Sequence, residues 1–207
     1  MTFIDISPLV DPAIAVWPGD TPYARNVSLD MAAGANLTLS DIRTTVHVGA
    51  HADAPSHYSA GDEDIGSRSL HYYLGPCVVW HVDVARGARI TPAHVAGKPL
   101  MATRVLFHTG TFPDPRHWNE DFASLSAELV DWLHARGVIT VGIDTPSVDL
   151  FDDKVLEAHQ ALARHDMANL EGLVLDRVAE GRYELIALPL RLAGADGSPV
   201  RAVLRGV

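Results

Sequence analysis

The segment His47-Val48-Gly49-Ala50-His51-Ala52-Asp53-Ala54-Pro55-Ser56-His57 packs three imidazoles and one carboxylate into eleven residues. Neutral imidazole nitrogen and carboxylate oxygen are the donors that borderline divalent cations such as zinc accept, provided three or more converge on one point. The backbone decides whether they can. Gly49 and Pro55 oppose a helix, and Pro55 disfavours helical geometry at Ala54. On a straight strand rising ~3.3 Å per residue, His47 and His57 would stand roughly 33 Å apart, too far for one site. The reading that fits is a strand ending near His47 and His51, then a loop turned at Ala54-Pro55 that carries Asp53 and His57 back toward the same centre. Taken singly, each residue has an ordinary structural role, Asp53 as a turn former for example. Four titratable groups in a loop flanked by apolar sequence are costly to bury without a partner, and a bound cation supplies one. If His57 is kept free for chemistry, His47, His51 and Asp53 supply only three positions, so further ligands must come from elsewhere in the chain.

The elements that must position this segment follow from local pattern. Leu37 to Val46, rich in Thr and β-branched residues with polar alternation, reads as the strand that delivers it. Further strands are expected at Cys77 to Val84, Arg104 to His108, Val138 to Ile143, Glu184 to Leu188 and Val200 to Leu204. Thr91-Pro92 opens a short helix to about Ala96, ended by Gly97. Ser126 to Arg136, with Glu128 in its first turn and Gly137 after it, is a helix. Another is expected from about Asp153 to Arg164. These elements make a mixed α/β fold with a sheet of several strands and functional loops at the strand ends.

The 207 residues suit a single domain spanning 1–207, with no repeat, low-complexity tract or linker-like shift in composition. A formal net charge of −10 argues against a nucleic-acid footprint and against adhesion to anionic membrane, which leaves small-molecule chemistry as the better expectation. Cys77 is the single cysteine, so no intrachain disulfide is possible. Met1 to Val10 lacks the positive n-region of a secretory signal, and no apolar run approaches the ~18–20 residues of a membrane helix. The expectation is a soluble cytoplasmic protein.

The same eleven residues resemble the signature of the metal-dependent cyclase family, H-x-G-T-H-x-D-x-P-x-H. The likeness extends in order through Trp17-Pro18-Gly19-Asp20, Asp144-Thr145-Pro146-Ser147-Val148-Asp149, His159, Asn169-Leu170-Glu171-Gly172-Leu173 and Leu188-Pro189-Leu190-Arg191-Leu192. Ala50 departs from the pattern where the family usually has Thr, which touches a supporting hydrogen bond and not a ligand. The resemblance implies that His47, His51, Asp53, His159 and Glu171 bind metal as a two-zinc centre bridged by Asp53. It also implies that His57 is the catalytic acid/base and that Trp17 contacts substrate. Its further implications are a compact single-domain β/β/α fold, with a central mixed sheet and flanking helices, and a homodimer.

Within the family the resemblance is to members that hydrolyse N-formyl-L-kynurenine to L-kynurenine and formate in tryptophan catabolism. Metal-activated water and an imidazole that titrates near neutrality suit that reaction. Two alternatives stay open: another amide, lactam or lactone as substrate, and a metal- or ligand-binding protein without catalysis. A serine hydrolase is weaker, because no G-x-S-x-G elbow occurs and Ser147 lacks its context. Asp144 to Asp149 either shapes the pocket and orients ligands or forms a capping turn before Asp153. Arg43, Arg191 and Arg201 are candidates for a substrate carboxylate, and the sequence does not choose among them.

Overall fold

Cys77–Trp80 and Val105–Phe107 are apolar at successive positions and buried throughout, as parallel strands covered on both faces must be. A computed structural model describes residues 3–206. Its strands are β1 (Phe3–Asp5), β2 (Ala24–Leu29), β3 (Leu39–Arg43), β4 (His51–Asp53), β5 (Leu74–His81), β6 (Arg89–Ile90), β7 (Arg104–His108), β8 (Ser124–Leu125), β9 (Thr140–Ile143), β10 (Ala168–Glu171), β11 (Gly181–Ile186), β12 (Gly197–Pro199) and β13 (Val203–Gly206). The helices are α1 (Ala127–His134) and α2 (Glu157–Arg164). Nine strands form one sheet in the order β1-β13-β11-β5-β7-β9-β10-β4-β12. Its centre, β5-β7-β9-β10, is parallel, and the flanks are antiparallel.

Alternation along the central strands feeds two cores. Val78, Trp80, Val105, Phe107, Val141 and Ile143 point to one side and are covered by Leu129, Val130 and Leu133 of α1 and Ala158, Ala161 and Leu162 of α2. Cys77, Val79, Leu106 and Leu170 point to the other side, where Ala52 of β4 shares a core with Leu185 of β11 and Leu204 of β13. Strands from both ends of the sheet order meet in that core, so the sheet is curled over it. Burial pushes the Cys77 thiol up to about 12.

The expected mixed α/β fold is present, with local differences that have physical reasons. Leu37 to Val46 does not deliver the ligand segment. Only Leu39–Arg43 is strand, paired with β2 as a hairpin outside the main sheet. His51–Asp53 is itself a strand, buried between β10 and β12, and Pro55–His57 forms a 3-10 turn behind it. The helix expected from Asp153 starts at Glu157 because Leu156 is left-handed, with φ 56°. Asp153 caps it instead, accepting from Glu157 N at 3.2 Å. The Thr91 helix is a 3-10 turn over Pro92–Val95. Of Val200 to Leu204 only Val203 and Leu204 are strand, at the start of β13. Ser126 caps α1 as expected, its side chain accepting from Leu129 N at 3.1 Å. Among the described residues no helix is long and apolar enough to cross a membrane.

Candidate metal centre and substrate cavity

β4 carries His51 and Asp53, two residues apart and therefore on one face, and β10 beside it carries Glu171, which lies opposite His51 in the antiparallel register. Helix α2, packed over the sheet, supplies His159, and the turn after β3 supplies His47. Both Asp53 oxygens are engaged. Oδ1 accepts from His47 Nδ1 at 2.8 Å and lies 3.5 Å from His51 Nε2. Oδ2 lies 3.3 Å from His159 Nε2. The Glu171 carboxylate stands between the same two rings, with Oε2 at 3.2 Å from His51 Nε2 and Oε1 at 3.4 Å from His159 Nε2. Three donor sets result, His47-His51-Asp53, Asp53-His159-Glu171 and, at the exposed edge, His47-His57-Asp196, and Asp53 belongs to the first two.

The orientation of each ring is fixed from behind. His51 Nδ1 donates to the Gly49 carbonyl at 2.9 Å. His159 Nδ1 donates to Asp149 Oδ2 at 2.9 Å, and Asp149 also accepts the His159 and Ala158 backbone N–H groups, capping α2. Arg89 Nη1 holds Asp149 from the far side at 2.8 Å. With both Nδ1 protons committed, both Nε2 atoms carry lone pairs aimed at carboxylate oxygens. Acceptors facing acceptors at this range require positive charge between them. A tetrahedral zinc with ligands at ~2.1 Å sets neighbouring donor atoms roughly 3.4 Å apart, and the four separations of the His51 and His159 rings from Asp53 and Glu171 run from 3.2 to 3.5 Å. Donor types, spacing and supporting hydrogen bonds all fit a divalent cation.

The electrostatics carry the same message. Burial pushes the Asp53 and Glu171 carboxyls up, yet both are held below the usual carboxylate range, Asp53 chiefly by His159 and His47 and Glu171 by His159 and His51. Burial opposes a proton on His47, but Asp53 and Asp196 outweigh it and raise that imidazole to about 9. His159 is likewise raised well above its ordinary value despite burial, chiefly by Asp149 and Asp53. The carboxylates here demand cationic partners.

His57 sits at the edge of this cluster, its ring 4.3 Å from that of His47. Its Nδ1 donates to Asp196 Oδ2 at 3.2 Å, and the same oxygen accepts from His47 Nε2 at 3.0 Å. The Nε2 of His57 is thereby left able to take a proton. His47, His51, His57, His159 and Glu171 line one end of a cavity of about 270 Å³. Trp17 lines it too, within an aromatic group that includes Phe151 at 5.1 Å and Trp118 at 5.2 Å between ring centroids. Trp17 is thus both a packed aromatic and part of the cavity wall. Arg43, Arg191 and Arg201 are absent from the lining, and Arg201 is engaged with Asp5.

All six ligand and acid/base candidates converge, although residues as far apart as 47 and 171 supply them. Three further residues belong to the arrangement without having been singled out individually: Asp196, Asn169 and Asp149. Asp149 lies within the segment expected to shape the pocket or orient ligands, and Asn169 within a block of the family resemblance. Asp196, in a Gly-Ala-Asp-Gly turn, has no signal in its spacing. Ala50 is buried against the core, and its carbonyl accepts from Val200 N at 2.9 Å.

Gly172, directly after Glu171, has φ +64°, and a Cβ there would lie 2.2 Å from the Gly49 carbonyl oxygen. That oxygen is backbone and cannot yield cheaply. Gly172→Ala is expected to destabilise the fold by about 2–4 kcal/mol, lowering Tm by roughly 5–15 °C at this chain length. Thermal unfolding of the metal-free protein reads the shift, and an unchanged Tm would show that this backbone contact is not tight in solution.

The family model described as putative cyclase matches residues 4–150. The chain is 46% identical over 202 residues to the kynurenine formamidase of Bordetella petrii, an alignment that spans 97% of this chain and 96% of the relative. Among solved structures, a potential metal-dependent hydrolase with cyclase activity superposes with a TM-score of 0.85 at 25% identity, covering 98% of this chain and 96% of the other. Isatin hydrolase A from Labrenzia aggregata shares the fold, with a TM-score of 0.85 at 21% identity over 98% of this chain and 93% of its own.

Proposed function

Because the chain belongs to the putative cyclase family, we propose that it is a metal-dependent amide hydrolase that converts N-formyl-L-kynurenine to L-kynurenine and formate. The observation that carries the reading is Asp53, buried with its two oxygens turned to two different donor sets, whose partners His47, His51, His159 and Glu171 line a cavity that also presents His57 and Trp17. In this reading His47, His51 and Asp53 hold one zinc ion, and Asp53, His159 and Glu171 hold a second. Zinc bound there supplies Lewis-acid polarisation of the formyl carbonyl and acidifies water.

The chain's own residues do the rest. Trp17 and its aromatic neighbours flank the aryl ring, and Asp196 fixes the His57 tautomer through Nδ1. His57 Nε2 takes the proton of the attacking water and returns it to the aniline nitrogen as the carbon–nitrogen bond breaks. Water adds across that bond, and formate and the free arylamine leave.

The test is formate release from N-formyl-L-kynurenine by the purified chain, with metal content measured in parallel. Chelation is expected to abolish turnover and zinc to restore it, with about two zinc ions per chain. Turnover that survives complete metal removal would overturn the reading. Metal-dependent hydrolysis of a lactone or lactam at much higher kcat/KM than the formamide would redirect the substrate assignment.

A homodimer is part of the same proposal. The β2–β3 hairpin is exposed along its length, with Val27, Leu29, Leu39 and Ile42 all open to solvent. An isolated two-stranded hairpin is marginal in water, and a second copy of the chain would cover it. Sedimentation equilibrium is expected to return twice the monomer mass, falling toward the monomer in Ile42→Asp. A monomeric wild type would remove the dimer. A cytoplasmic location also belongs to this reading and is checked by fractionating cells that express the chain.

A further inference from the structure

Asn169 is fully buried on β10, two residues before Glu171 and therefore on the same face of the sheet. Its Nδ2 lies 2.7 Å from Asp53 Oδ2 and 3.0 Å from Glu171 Oε1, so each of the two amide protons goes to a different carboxylate. The reverse placement of the amide would set its oxygen against two carboxylate oxygens, so the partners dictate the assignment. The amide oxygen has no hydrogen-bond partner. A buried acceptor without a donor is a cost that an apolar residue of similar size would avoid. The amide nitrogen is the part of this side chain with work to do.

We propose that Asn169 is a positioning residue that sets which lone pairs of Asp53 and Glu171 remain for a cation. One amide fixes the spacing between Asp53 Oδ2 and Glu171 Oε1, while Val148 N donates to Glu171 Oε1 at 2.8 Å. With those directions occupied, Asp53 Oδ1 and Glu171 Oε2 turn toward His51, at 3.5 and 3.2 Å. Glu171 Oε1 has both lone pairs taken by Asn169 and Val148, which leaves Oε2 as its donor to a cation, while the second lone pair of Asp53 Oδ2 faces His159. Asn169 thereby holds two anionic groups in register and offsets part of their mutual repulsion, without binding metal itself. Hydrogen-bond partners of this kind support ligand affinities by about 10–100-fold.

The proposal rests on the metal-binding part of the function given above, and the experiment separates the two. Zinc dissociation constants are measured by chelator competition for the wild type, Asn169→Leu and Asn169→Ser, together with the Tm of each metal-free protein. Leu keeps the volume and removes both donors, so a residue that only filled space would leave zinc affinity unchanged. The expected result is zinc binding weakened about 10–100-fold in a folded Asn169→Leu protein. If that variant does not fold, Asn169→Ser is read by the same criterion. A folded variant whose dissociation constant stays within about threefold of wild type would overturn the role of Asn169 and leave the metal centre standing. A wild type that binds no zinc would instead remove the reading on which the role depends.

Discussion

His57→Ala is expected to lower the rate of formate release by about 10²–10⁴-fold, the range that a positioned proton-transfer group contributes, while zinc content stays at the wild-type level. The geometry gives the reason for the split. His57 lies at the cavity end of the cluster and belongs to neither donor set that contains Asp53. Its removal leaves the imidazole–carboxylate contacts of His51, His159 and Glu171 in place. What is lost is an imidazole with one nitrogen tied to Asp196 and the other available, the state needed to accept a proton from water and pass it to an aniline nitrogen. Formate assay and elemental analysis on the same preparation decide the matter. Full turnover would exclude His57 from the reaction, and loss of zinc would make it a ligand.

Asp53→Asn is expected to fail in the opposite order, losing metal first and turnover with it. The substitution keeps the shape of the side chain but removes the negative charge common to both donor sets. It also presents an amide where His47 and Asn169 offer protons to a carboxylate. Lewis-acid stabilisation is worth several kcal/mol, and at ~1.4 kcal/mol per factor of ten its loss corresponds to a drop in kcat/KM of about three orders of magnitude. Zinc per chain should fall well below two. Retention of two zinc ions at normal affinity in a folded Asp53→Asn protein would rule out Asp53 as the shared ligand. Together the two variants separate proton transfer from metal holding, with two readouts that move independently.

The parts of this site that could be read from the sequence are those that crowd together along the chain. Three histidines and an aspartate within eleven residues announce themselves by density alone. His159 and Glu171 do not, because each lies far along the chain from that cluster in sequence of ordinary composition, and only the likeness to a family pattern marks them. Asp196 carried no local signal, since its meaning lies in meeting His47 and His57 across the fold. The central strands were legible for the opposite reason, as β-branched and aromatic runs buried on both faces. β10 was not: Ala168-Asn169-Leu170-Glu171 is short and weak in strand propensity, and it holds its place through β9 and β4 on either side. The pattern of Leu37 to Val46 did mark a strand, but alternation cannot distinguish a strand of the main sheet from one arm of an exposed hairpin.

The position of β4 between β10 and β12 has a consequence for the order of events during synthesis. Asp53 meets His159 across 106 residues of chain and Asn169 across 116, and His47 meets Asp196 across 149. Contacts this remote form late, because long loops must close before any of them is rewarded. A growing chain therefore makes the His47–His57 segment early but has nothing to pair with it until residues 168–171 emerge, and β4 keeps one open edge until residues 197–199 follow. An unpaired strand edge is a template for pairing with the wrong chain. Maturation of this protein thus passes through an interval in which metal ligands and a bare edge are exposed together, closed only when residues 168–199 fold back.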